Sequence, residues 1–293
     1  MNKVYILFNP LSGQGTAEEK SQTVKNYFSD FEIVKQDITK IENIKDYLSH
    51  AQKSDKIVII GGDGTLNRFA NSIREIVLPC EIYYLASGTG NDFLKDIEKN
   101  DNEIVDITKY LKNLPVATIK GEEYLFINGV GYGIDGYCCE VGDKQKAENP
   151  DKKVNYTGIA IKGLLGGYKP CDATVTVDGK TYEFKKVWIA PTMNGRFYGG
   201  GMIATPNQER ESGKVSLMIF HGSGKLKTLM IFPKIFKGEH VKSTKHVSVF
   251  EGNEITVKFT KPRPLQVDGE TILDVTEYCV KSACQQNILK TAV

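Results

Sequence analysis

Three short segments of this sequence place small, polar and acidic residues where a chain can grip phosphate. They are Asn9-Pro10-Leu11-Ser12-Gly13, Gly61-Gly62-Asp63-Gly64-Thr65 and Ser87-Gly88-Thr89-Gly90-Asn91-Asp92. Each offers backbone N–H groups that few side chains obstruct, with the hydroxyls of Ser12, Thr65 and Thr89 close in sequence. Glycine leaves room for a ligand against the main chain, and a helix that opens behind such a turn favours an anion at its N-terminus. No lysine stands where a P-loop would carry one, so a triphosphate here would be neutralised by amides and a divalent cation such as Mg2+. Structural duties compete for the same residues. Asp63 can cap the helix that follows it, Asn9 can close an Asx turn before Pro10, and Asn91 and Asp92 can cap the helix they open.

The flanking residues say what must position these turns. Apolar, largely β-branched runs predict strands at 3–8, 32–36, 57–60 and 82–85, with helices at 17–28, 44–51 and 66–75 between them,. Strand and helix in alternation imply a Rossmann-like α/β domain with a parallel sheet, and such sheets bind ligands beyond the carboxyl ends of their strands. All three turns follow a strand and precede a helix, so one rim of the sheet would carry them. From about residue 125 the texture changes to short alternating runs, among them ATVTVDGKTYEF, VSLMIF and EITVKF. These predict an antiparallel β-sandwich. The expected domains are 1–123 and 124–293. Asp178-Gly179 and Asp268-Gly269 read as two-residue hairpin turns, near twins as VDGK and VDGE. Only the second ends in a carboxylate, Glu270, which by position alone is a solvated residue at a strand start. Asn194-Gly195 and the glycines at 199–201 read as tight loops, at a cleft between domains or simply between strands.

Composition bounds the rest. A chain of 293 residues that is 40% hydrophobic can bury one large core or two medium ones, and a formal net charge of +2 gives no argument for nucleic acid as a partner,. The opening MNKVYILFNP is too short in apolar residues for a signal segment,, and no apolar run reaches the roughly 18 to 20 residues of a membrane span. The expected location is cytoplasmic, with lipid met from the surface. Six cysteines without CxxC spacing and four scattered histidines suggest reduced packing residues and no zinc site. Residues 224–246 mix lysines with Leu, Ile, Met and Phe around a single acid, Glu239. Such a face suits an anionic membrane surface, where each lysine contributes about 1 kcal/mol; a core-packed helix pair broken at Pro233, with its lysines in solvent, is the alternative. Residues 152–169 have a similar character.

Five segments in order, NPLSG, GGDGTLN, SGTGNDF, NGRFYGGGM and PLQVDGE, resemble the diacylglycerol kinase catalytic-domain family, which includes sphingosine and ceramide kinases and soluble bacterial lipid kinases. The resemblance spans nearly the whole chain. It implies transfer of the ATP γ-phosphoryl group to a lipid hydroxyl, most simply diacylglycerol to phosphatidic acid in phospholipid biosynthesis. The nucleotide would sit on the first domain, the lipid would enter a cleft between domains, and the enzyme would work at the inner membrane face. Residue by residue, it implies ATP contacts from Asn9, Ser12, Gly13, Gly61, Gly62, Gly64, Thr65, Gly88, Thr89 and Gly90. It also implies Asp63 at the Mg2+ end of the site, Asp92 as an active-site carboxylate and Glu270 as general base. A homodimer is compatible with it.

Two departures matter. Arg68 replaces a glutamate common after GGDGTLN, and Glu211-Ser212-Gly213 stands where soluble bacterial members often have an Asp-Asp-Gly turn that holds a structural metal. Two other readings stay open: a small-molecule kinase resembling NAD kinase, against which NPLSG and NGRFYGGGM stand, and a non-catalytic nucleotide-binding paralogue, which Arg68 and Ser212 allow.

Overall fold

The computed structural model describes residues 2–283 apart from 75, 89 and 150–153. The chain divides into two compact units, Met1–Asn113 and Leu114–Val293.

The first unit runs β1 (Lys3–Phe8), α1 (Thr16–Thr23), β2 (Glu32–Asp37), α2 (Ile44–Leu48), β3 (Lys56–Gly61), α3 (Asp63–Ser72), β4 (Glu81–Ala86), α4 (Asp92–Asp96), β5 (Val105–Asp106) and α5 (Thr108–Leu111). Its sheet has the order β2-β1-β3-β4-β5. Four strands are parallel, with Ile6 opposite Val58 and Ile59 opposite Tyr84; β5 closes the edge antiparallel to β4. The central strands KVYILF and KIVIIG are apolar almost throughout because both faces of a parallel sheet are covered. Val4, Ile6, Phe8, Val58 and Ile60 pack against Ala17 and Val24 on one face, and Ile57 and Ile59 are buried as well. All three helices differ from the expected spans, the second by ending at Leu48. The first ends at Thr23 and tightens into a 3-10 turn at Val24–Asn26. The third begins at Asp63, three residues early, so Asp63-Gly64-Thr65 is its first turn and Gly62 its N-cap.

The second unit runs β6 (Val116–Ile119), β7 (Glu122–Leu125), β8 (Gly129–Tyr132), α6 (Ile134–Glu148), α7 (Tyr156–Lys162), β9 (Cys171–Val177), β10 (Lys180–Val187), β11 (Thr192–Met193), β12 (Phe197–Tyr198), β13 (Met202–Ile203), β14 (Val215–Phe220), α8 (Lys225–Ile231), β15 (Val247–Gly252), β16 (Glu254–Val267) and β17 (Glu270–Lys281). Apart from the β12–β13 ribbon, these strands join in one ten-stranded antiparallel network with β16 at its centre. β17 lies along one side of β16. On the other side its first half pairs with β9 and its last residues with β8, and the register shifts between Lys258 and Leu265, where the prolines of KPRP interrupt the ladder. One long strand thereby serves both ends of a sandwich around Val175, Leu217, Ile219, Val257, Leu265 and Tyr278.

β6 pairs with the end of β17, Val116 opposite Lys281. That pairing assigns residues 114–123 to the second unit and moves the division about ten residues ahead of the expected one. Both DG turns have positive φ at their two central residues (+46° and +82° at Asp178-Gly179, +46° and +95° at Asp268-Gly269), the geometry that matches strand twist in a two-residue hairpin. The sandwich is interrupted by α6 and α7, which the alternating pattern did not announce. With α8 they cover a second apolar cluster that includes Ile134, Leu164, Trp188, Phe220, Ile231 and Ile235. The five cysteines among the described residues are free; Cys284 lies outside them.

Candidate functional site

In the first unit the three turns meet at the carboxyl ends of β1, β3 and β4. The Asn9 amide N–H donates to Ile60 O at 3.0 Å and the Ser87 N–H to Gly61 O at 2.8 Å, which locks each turn to the next strand. Asn9 makes the Asx turn and also reaches across to the second glycine turn. Its Oδ1 accepts from Leu11 N at 3.0 Å as an Asx turn, and its Nδ2 donates to Thr65 Oγ1 at 3.0 Å. Ser12 Oγ lies 3.3 Å from the same Thr65 hydroxyl. Asn9, Ser12 and Thr65 therefore form one polar cluster drawn from two turns. The third turn is held by close backbone packing. A Cβ on Gly13 would fall 1.9 Å from Ser87 O, and one on Gly88 would fall 2.7 Å from Gly62 Cα. Around Gly64, by contrast, the space is open: a Cβ there would meet nothing within 4 Å. Thr89 lies outside the described residues.

Asp63 has a partner that its sequence neighbours do not suggest. It caps not its own helix but the next one: Oδ2 accepts from Asp92 N at 3.0 Å and Oδ1 from Phe93 N at 3.1 Å. The carboxylate is thus a strut between the second and third turns, and it sits where α4 opens its free N–H groups. Asp92 is buried, with Lys95 Nζ 3.8 Å from its Oδ1. Arg68 is exposed on α3.

In the second unit the twin hairpins use their aspartates alike. Asp178 Oδ1 accepts from Asn253 N and Glu254 N at 2.9 and 2.8 Å. Asp268 accepts from Asn128 N and Gly129 N, both at 2.9 Å, and from Ile127 N. What differs is the company. The Ile127-Asn128 stretch beside Asp268 gathers buried polar groups: Asn194 Nδ2 donates to Ile127 O at 3.1 Å, and Arg210 donates through Nη2 to Asn128 Oδ1 at 3.2 Å and through Nη1 to Ile127 O. The Asn194-Gly195 loop is sewn beneath by Thr205 Oγ1 on Gly195 O at 3.2 Å. Glu270 opens β17 at this end, exposed, and pairs with Val267 across the turn. The Arg210–Ser212 turn ends on Gly213 at φ +75°. Its arginine, two residues ahead of the serine, serves the polar cluster.

One residue of this unit escaped sequence reasoning. Asp135, at the start of α6, is 7% exposed. Its Oδ1 accepts from Gly136 N at 2.9 Å, while Oδ2 is buried without a completed hydrogen bond, although Gln266 Nε2 and the buried Tyr198 lie beside it. Burial pushes this carboxyl up to about 7. Gly131 makes the position possible, since a Cβ there would overlap Oδ2 at 1.6 Å. Gln266 also accepts from Gly269 N at 2.7 Å through Oε1, which links Asp135 to the hairpin of Glu270. The available signal was the alternate glycines of GVGYGID, which clear space beside the acid that follows them.

Comparison with known proteins agrees with the fold of both units. The diacylglycerol kinase catalytic domain model matches residues 3–119, and the model described as the YegS C-terminal NAD kinase beta sandwich-like domain matches residues 128–289. YtlR of Bacillus subtilis, provisionally named a lipid kinase, is 23% identical over 99% of this chain and 100% of its own length. A diacylglycerol kinase of Mycobacterium tuberculosis is 26% identical over 82% of this chain and 80% of its own. The crystal structure of a provisionally named diacylglycerol kinase from Bacillus anthracis shares the fold, with a TM-score of 0.69 at 20% identity over 96% of this chain and 92% of that one. With both units matched in order along nearly the whole sequence, the chain belongs to the diacylglycerol kinase catalytic-domain family, a family of lipid kinases.

Proposed function

We propose that the protein is an ATP- and Mg2+-dependent kinase that phosphorylates the hydroxyl of diacylglycerol or a related membrane lipid. The observation that carries the nucleotide half is the convergence of three glycine turns on one rim, with Asn9, Ser12 and Thr65 in mutual contact. Phosphoryl transfer asks a protein mainly to position the triphosphate and to offset its charge. The amides around Gly62, Gly64 and Gly88 and the hydroxyls of Ser12 and Thr65 would cradle it, and open space at Gly64 lets the main chain approach. No group of three or more His, Cys, Asp or Glu that could hold a metal occurs among the described residues, which fits an ion that arrives on the nucleotide, because Mg2+ needs only one or two carboxylates beside phosphate oxygens and water. Asp63 would be that carboxylate: each oxygen accepts one amide and keeps a lone pair. When bound, the ion offsets charge on the phosphates. Glu270 would take the proton of the acceptor hydroxyl, and Asp92 supports the nucleotide side.

Transfer of label from γ-labelled ATP into a total lipid extract, with NAD as a competing acceptor, tests the reading. Label in lipid is expected; label in NAD alone would favour the small-molecule alternative suggested by the description of the sandwich model. Glu270→Gln should lower turnover by about 100-fold or more, while Lys180→Gln, at the matching place in the twin hairpin, should stay within about threefold. Both should melt within a few degrees of wild type. Equal small effects would remove Glu270 as the base and leave Asp92 to be tested.

A further inference from the structure

The second unit carries large apolar side chains that its two cores leave outside. On α7 and the turn after it, Gly163–Gly167, Ile161 and Leu165 point outward, 46% and 59% exposed, while Ile159 and Leu164 are buried on the opposite side. On α8 and the turn after it, Phe232–Lys237, Leu226, Met230 and Phe236 are 74%, 55% and 42% exposed, while Thr228, Ile231 and Ile235 face inward. Ile161 with Leu165 and Leu226 with Met230 are four residues apart, the spacing that puts side chains on one helical face. The two stretches are about 60 residues apart in sequence, yet they touch: Lys225 Nζ donates to Leu165 O at 3.0 Å. Leu165 and Leu226 thus belong to one surface.

Lysines ring that surface. Lys162, Lys225, Lys227, Lys234 and Lys237 are exposed around the apolar residues. Residues 154–169 contain no acid, and residues 224–246 contain only Glu239. A two-fold contact with a second copy would bring these like charges together. The complementary partner is apolar below and anionic at its rim. An acidic bilayer has that chemistry, with acyl chains beneath phosphate headgroups.

We infer that α7, α8 and the turns following them form a single docking surface for an anionic lipid bilayer, with Leu165 and Leu226 at the centre of insertion and the lysines at headgroup level. The inference deepens the lipid-kinase reading and rests on it for its biological sense, but its test does not use turnover. The full chain is sedimented with phosphatidylglycerol–phosphatidylcholine vesicles and with pure phosphatidylcholine vesicles across a salt series. Wild type should partition at least about tenfold better to the anionic vesicles at low salt, and less so as the Debye length shrinks. Leu165→Asn with Leu226→Asn should lower partition by about tenfold, and Lys227→Gln with Lys237→Gln should lower it and flatten the salt dependence.

A Leu226→Trp variant gives a second readout, since the native Trp188 is buried. Its emission should shift to the blue on anionic vesicles. Unchanged partition of the asparagine variant, or no blue shift, overturns the inference. So does a dimer, or binding to an acidic protein, that the same variant abolishes while wild type ignores vesicles. Turnover on short-chain diacylglycerol dispersed in detergent separates the two claims. Docking without turnover on any lipid removes the kinase reading and leaves the surface; turnover without docking removes the surface and leaves the kinase.

Discussion

Asp135 holds its proton far above the ordinary carboxyl value of 3.8, at about 7, because burial disfavours its charged form,. The sign of the consequence follows from linkage. Between about pH 4 and pH 7 the folded protein keeps a proton that the unfolded chain has released, so this group's contribution to stability falls as pH rises through that window and is level above it. Asparagine at 135 does not titrate. The stability gap between Asp135→Asn and wild type should therefore shift in favour of the variant from about pH 5 to about pH 8, by an amount on the order of a few kcal/mol. Denaturant unfolding of both proteins at several pH values measures it. Parallel stability profiles would mean that Asp135 carries its charge throughout. The same scale explains why Asp63 was only half legible in the sequence. Its place between glycines marked it as a turn residue, but its two partners, the amides of Asp92 and Phe93, lie about 30 residues onward and belong to another helix.

At the level of elements, two glycines in facing turns should behave in opposite ways. Gly64 lies in the first turn of α3 with nothing within 4 Å of a Cβ. Gly64→Ala should raise stability by up to about 1 kcal/mol, as alanine does in a helix, yet weaken ATP binding if the main chain there meets phosphate. Gly88→Ala would drive a methyl to 2.7 Å from Gly62 Cα and should destabilise by about 1–3 kcal/mol, as overpacking does, with ATP binding lost as well. Thermal melting and nucleotide titration of both variants check this, and a Gly64→Ala protein with wild-type affinity would detach that turn from the ligand.

The β1, β3 and β4 strands were legible because apolar runs of that length, each running into a small-residue turn, have few other uses. The twin hairpins were legible because DG between alternating runs is strong local chemistry. What could not be read was set by distant partners. The β6–β7 hairpin joins the second unit's sheet through β17, far along the chain, and β5 is antiparallel because of its pairing with β4. α6 was masked by glycines and by the aromatic, β-like run before it; its place depends on Gly136 lying close to Pro264 O.

Across the whole molecule, the division at 113/114 separates the proposed nucleotide rim from the sandwich. Hydrogen exchange with and without ATP should show added protection at 9–13, 61–65 and 87–92, while the β9–β10 hairpin stays within error of the free protein. Protection confined to the second unit would reject the nucleotide site. The pairing of Val116 with Lys281 also bears on the order in which the protein is made. The first unit has all its strands once residue 113 has been added, and it can close on its own. The strand that opens the second unit pairs at once with β7 but must wait for about 165 further residues before its second partner, β17, exists, which at ribosomal speeds is on the order of ten to thirty seconds,. During that interval β6 and β7 have a free edge in a chain whose other half is already folded. Interrupted synthesis would then release a finished first unit attached to a hairpin with one open edge, a species that chaperones would meet before any active enzyme exists.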